Sequence, residues 1–325
     1  MNHRERIEHI RSAGIADNTV RSYESDLKYF WGWVKITRGA DIRYPVSPAL
    51  VEAFVLDHIE GLDHRTDRLM VEHGFKDKFG RLHTINTIRH RLKALGWIHR
   101  INNFSDPGAS EKIADLLRAA KRIESKSGRV PKKSRPITQD ILEKMVAQIN
   151  RKTKTGIRNA AILMFAFYSG GRRQSEVAGA KFEFLTKIWG GYTYLLHRSK
   201  TDQNGIGRKK LLRSRPARYL TKWIKAGNIT DGYLFRRIMG NRVTEKPISN
   251  QAVNYIVKKY IEAIGEDPEY YSAHGLRRGF ITTCARKKIP TEDIMQLTDH
   301  KNFNTIYGYY QEDRISKNPA TKLYK

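Results

Sequence analysis

Residues 124–136, Glu124 to Pro136, read ESKSGRVPKKSRP, and they divide the chain. Pro131, Pro136, Gly128 and three serines sit among Lys126, Arg129, Lys132, Lys133 and Arg135, with no apolar residue recurring at helical or strand spacing. The stretch therefore reads as a basic linker over 126–136, with one domain over 1–125 and a second, with a C-terminal tail, over 137–325. A length of 325 residues suits two such domains at ~100 to 200 residues each.

Before the linker the chain reads as helices only. Val20, Tyr23, Leu27, Phe30, Trp31 and Val34 recur at steps of three and four behind Asn18, and Ser47-Pro48 has the cap-then-proline form of a helix start. Ile85, Ile88, Leu92, Leu95 and Ile98 mark another amphipathic helix, whose opposite face is expected to present Arg89, Arg91, Lys93 and Arg100 to DNA or solvent. A last helix is expected over about 109–123. Asp57, His58, Glu60, Asp63, His64 and Asp67 lack any recognised ligand spacing and are expected in a helix end and a solvated turn.

After the linker the pattern is mixed. Helices are expected over 138–150, 155–169, 215–226, 249–264, 274–288 and 291–298. Between them GYTYLL (Gly191 to Leu196) and RKKLL (Arg208 to Leu212) have strand composition and are joined by a turn-rich segment, which predicts a β-hairpin inside a helical domain.

Lys and Arg number 61 and Asp and Glu 33, a formal charge of +28. Residues 1–128 carry 22 basic and 17 acidic side chains and residues 129–325 carry 39 and 16, so the second half holds +23 of the excess. Such self-repulsion is best tolerated beside a polyanion, and nucleic acid is the expected partner. A hydrophobic content of 39% is too high for a disordered basic tail. Cys284 is the single cysteine, which excludes an intrachain disulfide and every zinc module built on paired cysteines. The start, MNHRERIEHIRSAG, lacks an apolar core of signal-peptide length, and the longest charge-free run, residues 159–171, falls short of the ~20 needed to span a bilayer. A cytoplasmic, nucleoid-associated protein with no membrane partner is the expectation.

The chemistry concentrates in three segments. Gly171-Arg172-Arg173-Gln174-Ser175-Glu176 follows the most apolar helix, so its charges emerge where a buried element reaches the surface. His274-Gly-Leu-Arg277 places an imidazole and a guanidinium three residues apart, on one helical face. Leu297-Thr-Asp-His300 puts a second histidine nine residues before Tyr309, within the tyrosine-rich Tyr307-Gly-Tyr309-Tyr310. Guanidinium forks bind phosphate oxygens bidentately and stay protonated, so two of them on one phosphate stabilise phosphoryl-transfer charge without a metal. There is no GxxxxGK[ST] loop, no HExxH and no clear acidic pair for a two-metal nuclease. Each motif alone is weak, since surface arginines usually pair with glutamates. The ordered set in one +23 half is what points to chemistry.

In that order and spacing the chain resembles the tyrosine recombinase (phage integrase) family, most closely its Cre-type members. The resemblance spans residues 169–310 and implies a mainly helical fold with a small β-sheet: a helical core-binding domain and a mixed α/β catalytic domain, closing as a clamp around DNA. It implies Arg173, rather than Arg172, as the first phosphate clamp, with Glu176 orienting the site. Lys200, where the first hairpin strand ends, is implied as the general acid, with Lys209 and Lys210 as fallbacks. His274 and Arg277 fit the H-x-x-R pair, His300 the following histidine and Tyr309 the nucleophile. Two departures stand out: the family usually has glycine where Asp299 stands, and Tyr307 and Tyr310 compete with Tyr309.

A phenol with a pKa of ~10 is a poor nucleophile at neutral pH, so a doubly clamped phosphate must lower the barrier while a neighbouring base takes the proton. The resemblance implies a site-specific recombinase that conserves bond energy in a 3′-phosphotyrosine, with no cofactor, metal or ATP. Its implied partner is double-stranded DNA bearing inverted repeats, bound by a homo-tetramer in synapsis from monomers in solution. Lys132, Lys133 and Arg135 are further expected DNA contacts. A type IB topoisomerase-like nicking and resealing activity and a catalytically silent DNA-binding regulator are the competing readings.

Overall fold

The computed structural model describes residues 17–126, 134–196, 207–300, 302–304 and 306–308. The chain forms two compact units, Met1–Pro131 and Lys132–Lys325. Of the basic linker, residues 127–133 lie outside the described residues.

The first unit is helical: α1 (Asp17–Arg38), α2 (Pro48–Glu60), α3 (His64–Glu72), α4 (Ile85–Ile101) and α5 (Glu111–Lys126). Ser47 accepts the Leu50 N–H ahead of Pro48, and Thr84 accepts the Thr87 N–H at the start of α4. Phe30, Trp33, Phe54, Val55, Met70, Ile88 and Leu95 build the core. At Gly32 a methyl group would lie 2.3 Å from the Phe75 ring, so only glycine lets that ring close over α1. Trp33 is fully buried, whereas Trp31 is exposed and donates to Tyr44.

The expected turn around residues 57–67 needs correction, because residues from His64 onward form α3. Asp63 caps that helix by accepting from the backbone of Arg65 and Thr66, and Asp67 is buried in an ion pair with Lys76. His58 is a core histidine, bonded to Tyr29 at 2.9 Å and to the Phe54 carbonyl at 2.6 Å. Among the described residues no cluster could hold a metal ion, and no helix is long and apolar enough to cross a membrane.

The second unit is built around α7 (Lys154–Tyr168), whose residues from Arg158 to Phe167 are all buried. Against it pack α6 (Gln139–Ala147), α8 (Gln174–Ala178) and, most extensively, α9 (Ser214–Gly227). A three-stranded antiparallel sheet runs β1 (Leu185–Ile188), β2 (Gly191–Leu196), β3 (Arg208–Arg213), with Tyr194 opposite Lys210 and Leu196 opposite Arg208. A second hairpin, β4 (Arg236–Met239) with β5 (Arg242–Pro247), precedes α10 (Asn250–Glu262), α11 (Ala273–Arg286) and α12 (Thr291–Thr298). The architecture is mainly helical with small antiparallel sheets.

The segment from Ser134 to Ile137 seats α11. A methyl group at Gly275 would meet the Arg135 carbonyl at 2.7 Å and one at Gly279 the Ile137 carbonyl at 1.7 Å, while Ile137 N–H donates to Gly275 at 2.8 Å. Two glycines on one face of α11 thus allow backbone to lie directly on the helix that carries His274 and Arg277.

Candidate active site

Arg173, Glu176, His274, Arg277 and His300 gather around the end of α7 and the start of α11, and Arg172 lies just beneath them. Ser169 ends α7, and Gly170 and Gly171 turn the chain with φ of 98° and 69°, a region that favours glycine. A methyl group at Gly171 would stand 2.5 Å from Arg277 Cα. This contact is what brings the G-R-R segment against the H-x-x-R helix.

Arg173 then starts α8. Its backbone N–H and its guanidinium both donate to Glu176, at 3.1 and 2.8 Å, which fixes the side chain while leaving it 30% exposed. With Gln174, Ser175, Asn254, Ser272 and His274 it lines a cavity of about 440 Å³. Arg277 is buried to 3% and is anchored from behind, donating to the Gly171 carbonyl at 3.2 Å and to the Thr298 carbonyl. Its Nη2 also lies 3.2 and 3.4 Å from the two ring nitrogens of His300. His300 Nδ1 meets Thr298 Oγ1 at 2.7 Å.

Burial first, and the crowding of cations second, set the protonation states. Burial, then repulsion from Arg172 and Arg173, lowers Arg277 to about 10, which leaves it charged at neutral pH. Burial, then Arg277, Arg173 and His274, lowers His300 to about 4. Desolvation and the charges of Arg277, Arg278 and Arg173 likewise lower His274, which stands at the surface of the cavity. The imidazole of His300 is therefore neutral at pH 7, with guanidinium groups beside it, an arrangement able to hold an anion and accept a proton.

Arg172 points the other way. It is fully buried, donating to Asp299 Oδ2 at 2.8 Å, Leu297 O at 2.6 Å and Gly170 O at 3.2 Å. Lys210, a fallback for the lysine role, is 1% exposed and committed to Asp299 Oδ1 at 2.7 Å and to the carbonyls of Gln296 and Leu297, each at 2.9 Å, so it is corrected to a structural residue. Lys209 on the same strand is exposed. Lys200, Tyr309 and Tyr310 lie outside the described residues; Tyr307 is described and exposed, and Ile306 beside it is seated in the core.

The expected basic face of α4 divides. At about 100° per residue, positions 89, 93 and 100 fall together, but 91 falls on the other side. Arg91 is accordingly corrected to a core residue, its guanidinium 3.1 Å over the Tyr29 ring and 3.6 Å from Asp26. Lys93 and Arg100 are exposed, Arg100 pairing with Asp106 at 2.7 Å, and Arg89 is half-buried. In the second unit Arg135 stacks on Tyr270 at 4.3 Å. Lys132 and Lys133 lie outside the described residues. Asn254 and Ser272 are cavity residues that no motif singled out, because they come from different elements and meet only in the fold.

Residues 135–315 match the sequence model of the phage integrase family. The chain is 27% identical over 314 residues to an integrase/recombinase XerD homolog of Selenomonas ruminantium, covering 94% of this chain and 84% of that protein. Among solved structures it resembles the Tn1549 transposon integrase in complex with a circular intermediate DNA, with a TM-score of 0.59 at 16% identity over 94% of this chain and 92% of that one. It also resembles the XerH site-specific recombinase bound to difH substrate before cleavage, with a TM-score of 0.54 at 17% identity over 85% and 71%. These structural likenesses concern the fold.

Proposed function

The chain belongs to the phage integrase family of tyrosine recombinases, and from that premise we propose that it cuts and rejoins duplex DNA at specific sites through a covalent tyrosine intermediate. The observation that carries the reading is a cluster of two arginines and two histidines: Arg173 and His274 line one cavity, Arg277 and His300 pack against each other within electrostatic reach of both, and His300 is held neutral.

In this reading Arg173 and Arg277 grip the scissile phosphate, and Glu176 and the carbonyls of Gly171 and Thr298 hold the two guanidiniums in place beforehand. Preorganised donors of this kind cost no reorganisation as charge develops on the phosphate. Tyr309 attacks phosphorus, its proton passing to a neutral imidazole, His300 or His274. The bond to the 5′ oxygen breaks, and Lys200 protonates that oxygen as it leaves. The 3′-phosphotyrosine keeps one phosphodiester in exchange for another, so a 5′-hydroxyl from a second strand reverses the step. Lys93, Arg100 and Arg89 on α4, with Lys132, Lys133 and Arg135, supply contacts to the DNA backbone. Recombination brings four protomers, monomers in free solution, together on two inverted-repeat sites.

A suicide substrate nicked near the cleavage point tests this, because the short 5′ fragment diffuses away and traps the adduct. Wild type accumulates protein–DNA adduct; Arg173→Ala binds DNA but forms it ~10² to 10³ times more slowly, the usual cost of one lost oxyanion donor. Relaxation of any supercoiled plasmid without paired sites would instead mark a type IB topoisomerase-like activity, and binding without adduct a silent regulator.

A further inference from the structure

We propose that Asp299, clasped by Arg172 and Lys210, is a positioning residue that fixes His300 and Arg277 for the reaction. The inference rests on the functional reading above for what is positioned, and on the geometry for how.

Asp299 ends α12 in the left-handed region, φ 59° and ψ 31°, and is 4% exposed. Glycine, usual at this position in the family, takes that conformation freely, whereas an L-residue there needs compensation. The compensation is electrostatic. One carboxylate oxygen takes Lys210 at 2.7 Å and Arg208 at 3.4 Å, and the other takes Arg172 at 2.8 Å. Burial opposes the carboxylate's charge, but these cations outweigh it and hold the group below the ordinary range.

The same two buried cations, joined by Arg277, also close the end of α12. Lys210 donates to the carbonyls of Gln296 and Leu297, Arg172 to that of Leu297, and Arg277 to that of Thr298. Last-turn carbonyls have no partners within their own helix and carry the negative end of its dipole, so cations are the fitting caps. Three separate segments meet here: the residue before Arg173, the strand that begins at Arg208, and the turn that precedes His300. A shift of any one moves His300 against Arg277, which it faces at 3.2 Å. Arg172 is thereby assigned a role distinct from Arg173: it braces the site from beneath, where no phosphate reaches.

The test uses the full chain, with Arg173→Ala as the control for the functional reading. Asp299→Asn keeps the shape and removes the charge. It is expected to bind DNA as wild type does and to form adduct about a hundredfold more slowly at saturating DNA, the cost of a displacement of about 1 Å at a reacting centre. Asp299→Gly with Arg172→Met and Lys210→Met removes the buried carboxylate together with both of its buried cations and restores a glycine turn, so no buried charge is stranded and the triple variant is expected to fold and to recover most of the rate. NMR titration of the His300 ring supplies a readout independent of cleavage. Deleting the Asp299 charge without movement would lower the His300 midpoint, whereas release from Arg277, Arg173 and His274 raises it; a rise is expected. A wild-type adduct rate in Asp299→Asn, a loss traced wholly to DNA binding, a triple variant no faster than the single one, or a lowered midpoint would overturn the proposal. If wild type itself formed no adduct, the functional reading would fail, and the direction of the midpoint would still decide whether Asp299 holds the turn.

Discussion

Replacing Gly171 with alanine puts the closest approach in the candidate site under direct strain. The added methyl stands 2.5 Å from Arg277 Cα and 3.0 Å from its Cβ, at a residue whose φ is 69°. Relief to an ordinary contact of 3.4 Å requires the two segments to part by about 1 Å, and that motion pulls on the hydrogen bond from Arg277 to the Gly171 carbonyl at 3.2 Å. Left-handed strain costs ~1–2 kcal/mol and overpacking another ~1–3 kcal/mol. The kinetic effect is expected to be larger than the thermodynamic one, about a hundredfold in adduct formation on a nicked suicide substrate, because the displaced group is a phosphate clamp. DNA affinity should hardly change. Gly190→Ala is the matched control, since its φ is 75° but no atom lies within 4 Å of the new methyl. It should lose ~1–2 kcal/mol of stability and none of the cleavage rate. Wild-type cleavage by Gly171→Ala, or equal loss in Gly190→Ala, would refute the reasoning.

Because His300 is lowered to about 4 in the folded chain against an ordinary 6.5, the unfolded state takes its proton first, and stability falls as pH drops from 6.5 toward 4. Urea midpoints of wild type and His300→Gln should converge over that window and run parallel above pH 7; subtracting the variant removes the similar contribution of His58. With a net charge of +28, DNA affinity should fall ~10³ to 10⁵-fold between 50 and 200 mM salt if ~6–10 phosphates are neutralised, and a flat response in a binding titration rejects that footprint. Lys210→Ala should lower stability by ~1–3 kcal/mol, because Asp299 loses one of its two buried cations while keeping Arg172 and two α12 carbonyls lose a donor, whereas Lys209→Ala should stay within ~0.5 kcal/mol in the same denaturation assay.

Much of the architecture could be read from the sequence because strong local signals coincide with the fold. The cap at Ser47, the stripe from Ile85 to Ile98 and the charge-free run inside α7 all mark helices that form. β1 and the β4–β5 hairpin escaped, since Arg-Arg-Ile-Met and Arg-Val-Thr-Glu-Lys-Pro are half-exposed strands whose pairing, not their apolar pattern, defines them. Around the site, spacing located the arginines and histidines but not which way each one faces. Arg91, Arg172 and Lys210 look in sequence like surface cations, and each is buried because a partner from a distant segment, Tyr29 or Asp299, receives it. Asp299 stood out only as a departure from glycine; its meaning depends on two cations 127 and 89 residues away.

The attack of Tyr309 on a phosphate is the central claim, and peptide mapping of the trapped adduct tests it most directly. Wild-type protein is incubated with a nicked suicide substrate, digested, and the DNA-bearing peptide sequenced. DNA attached to Tyr309, lost in Tyr309→Phe while binding persists and retained in Tyr307→Phe and Tyr310→Phe, is the predicted result. Attachment at Tyr307 or Tyr310 would contradict the assignment of the nucleophile, and no adduct on any substrate would contradict the covalent mechanism itself.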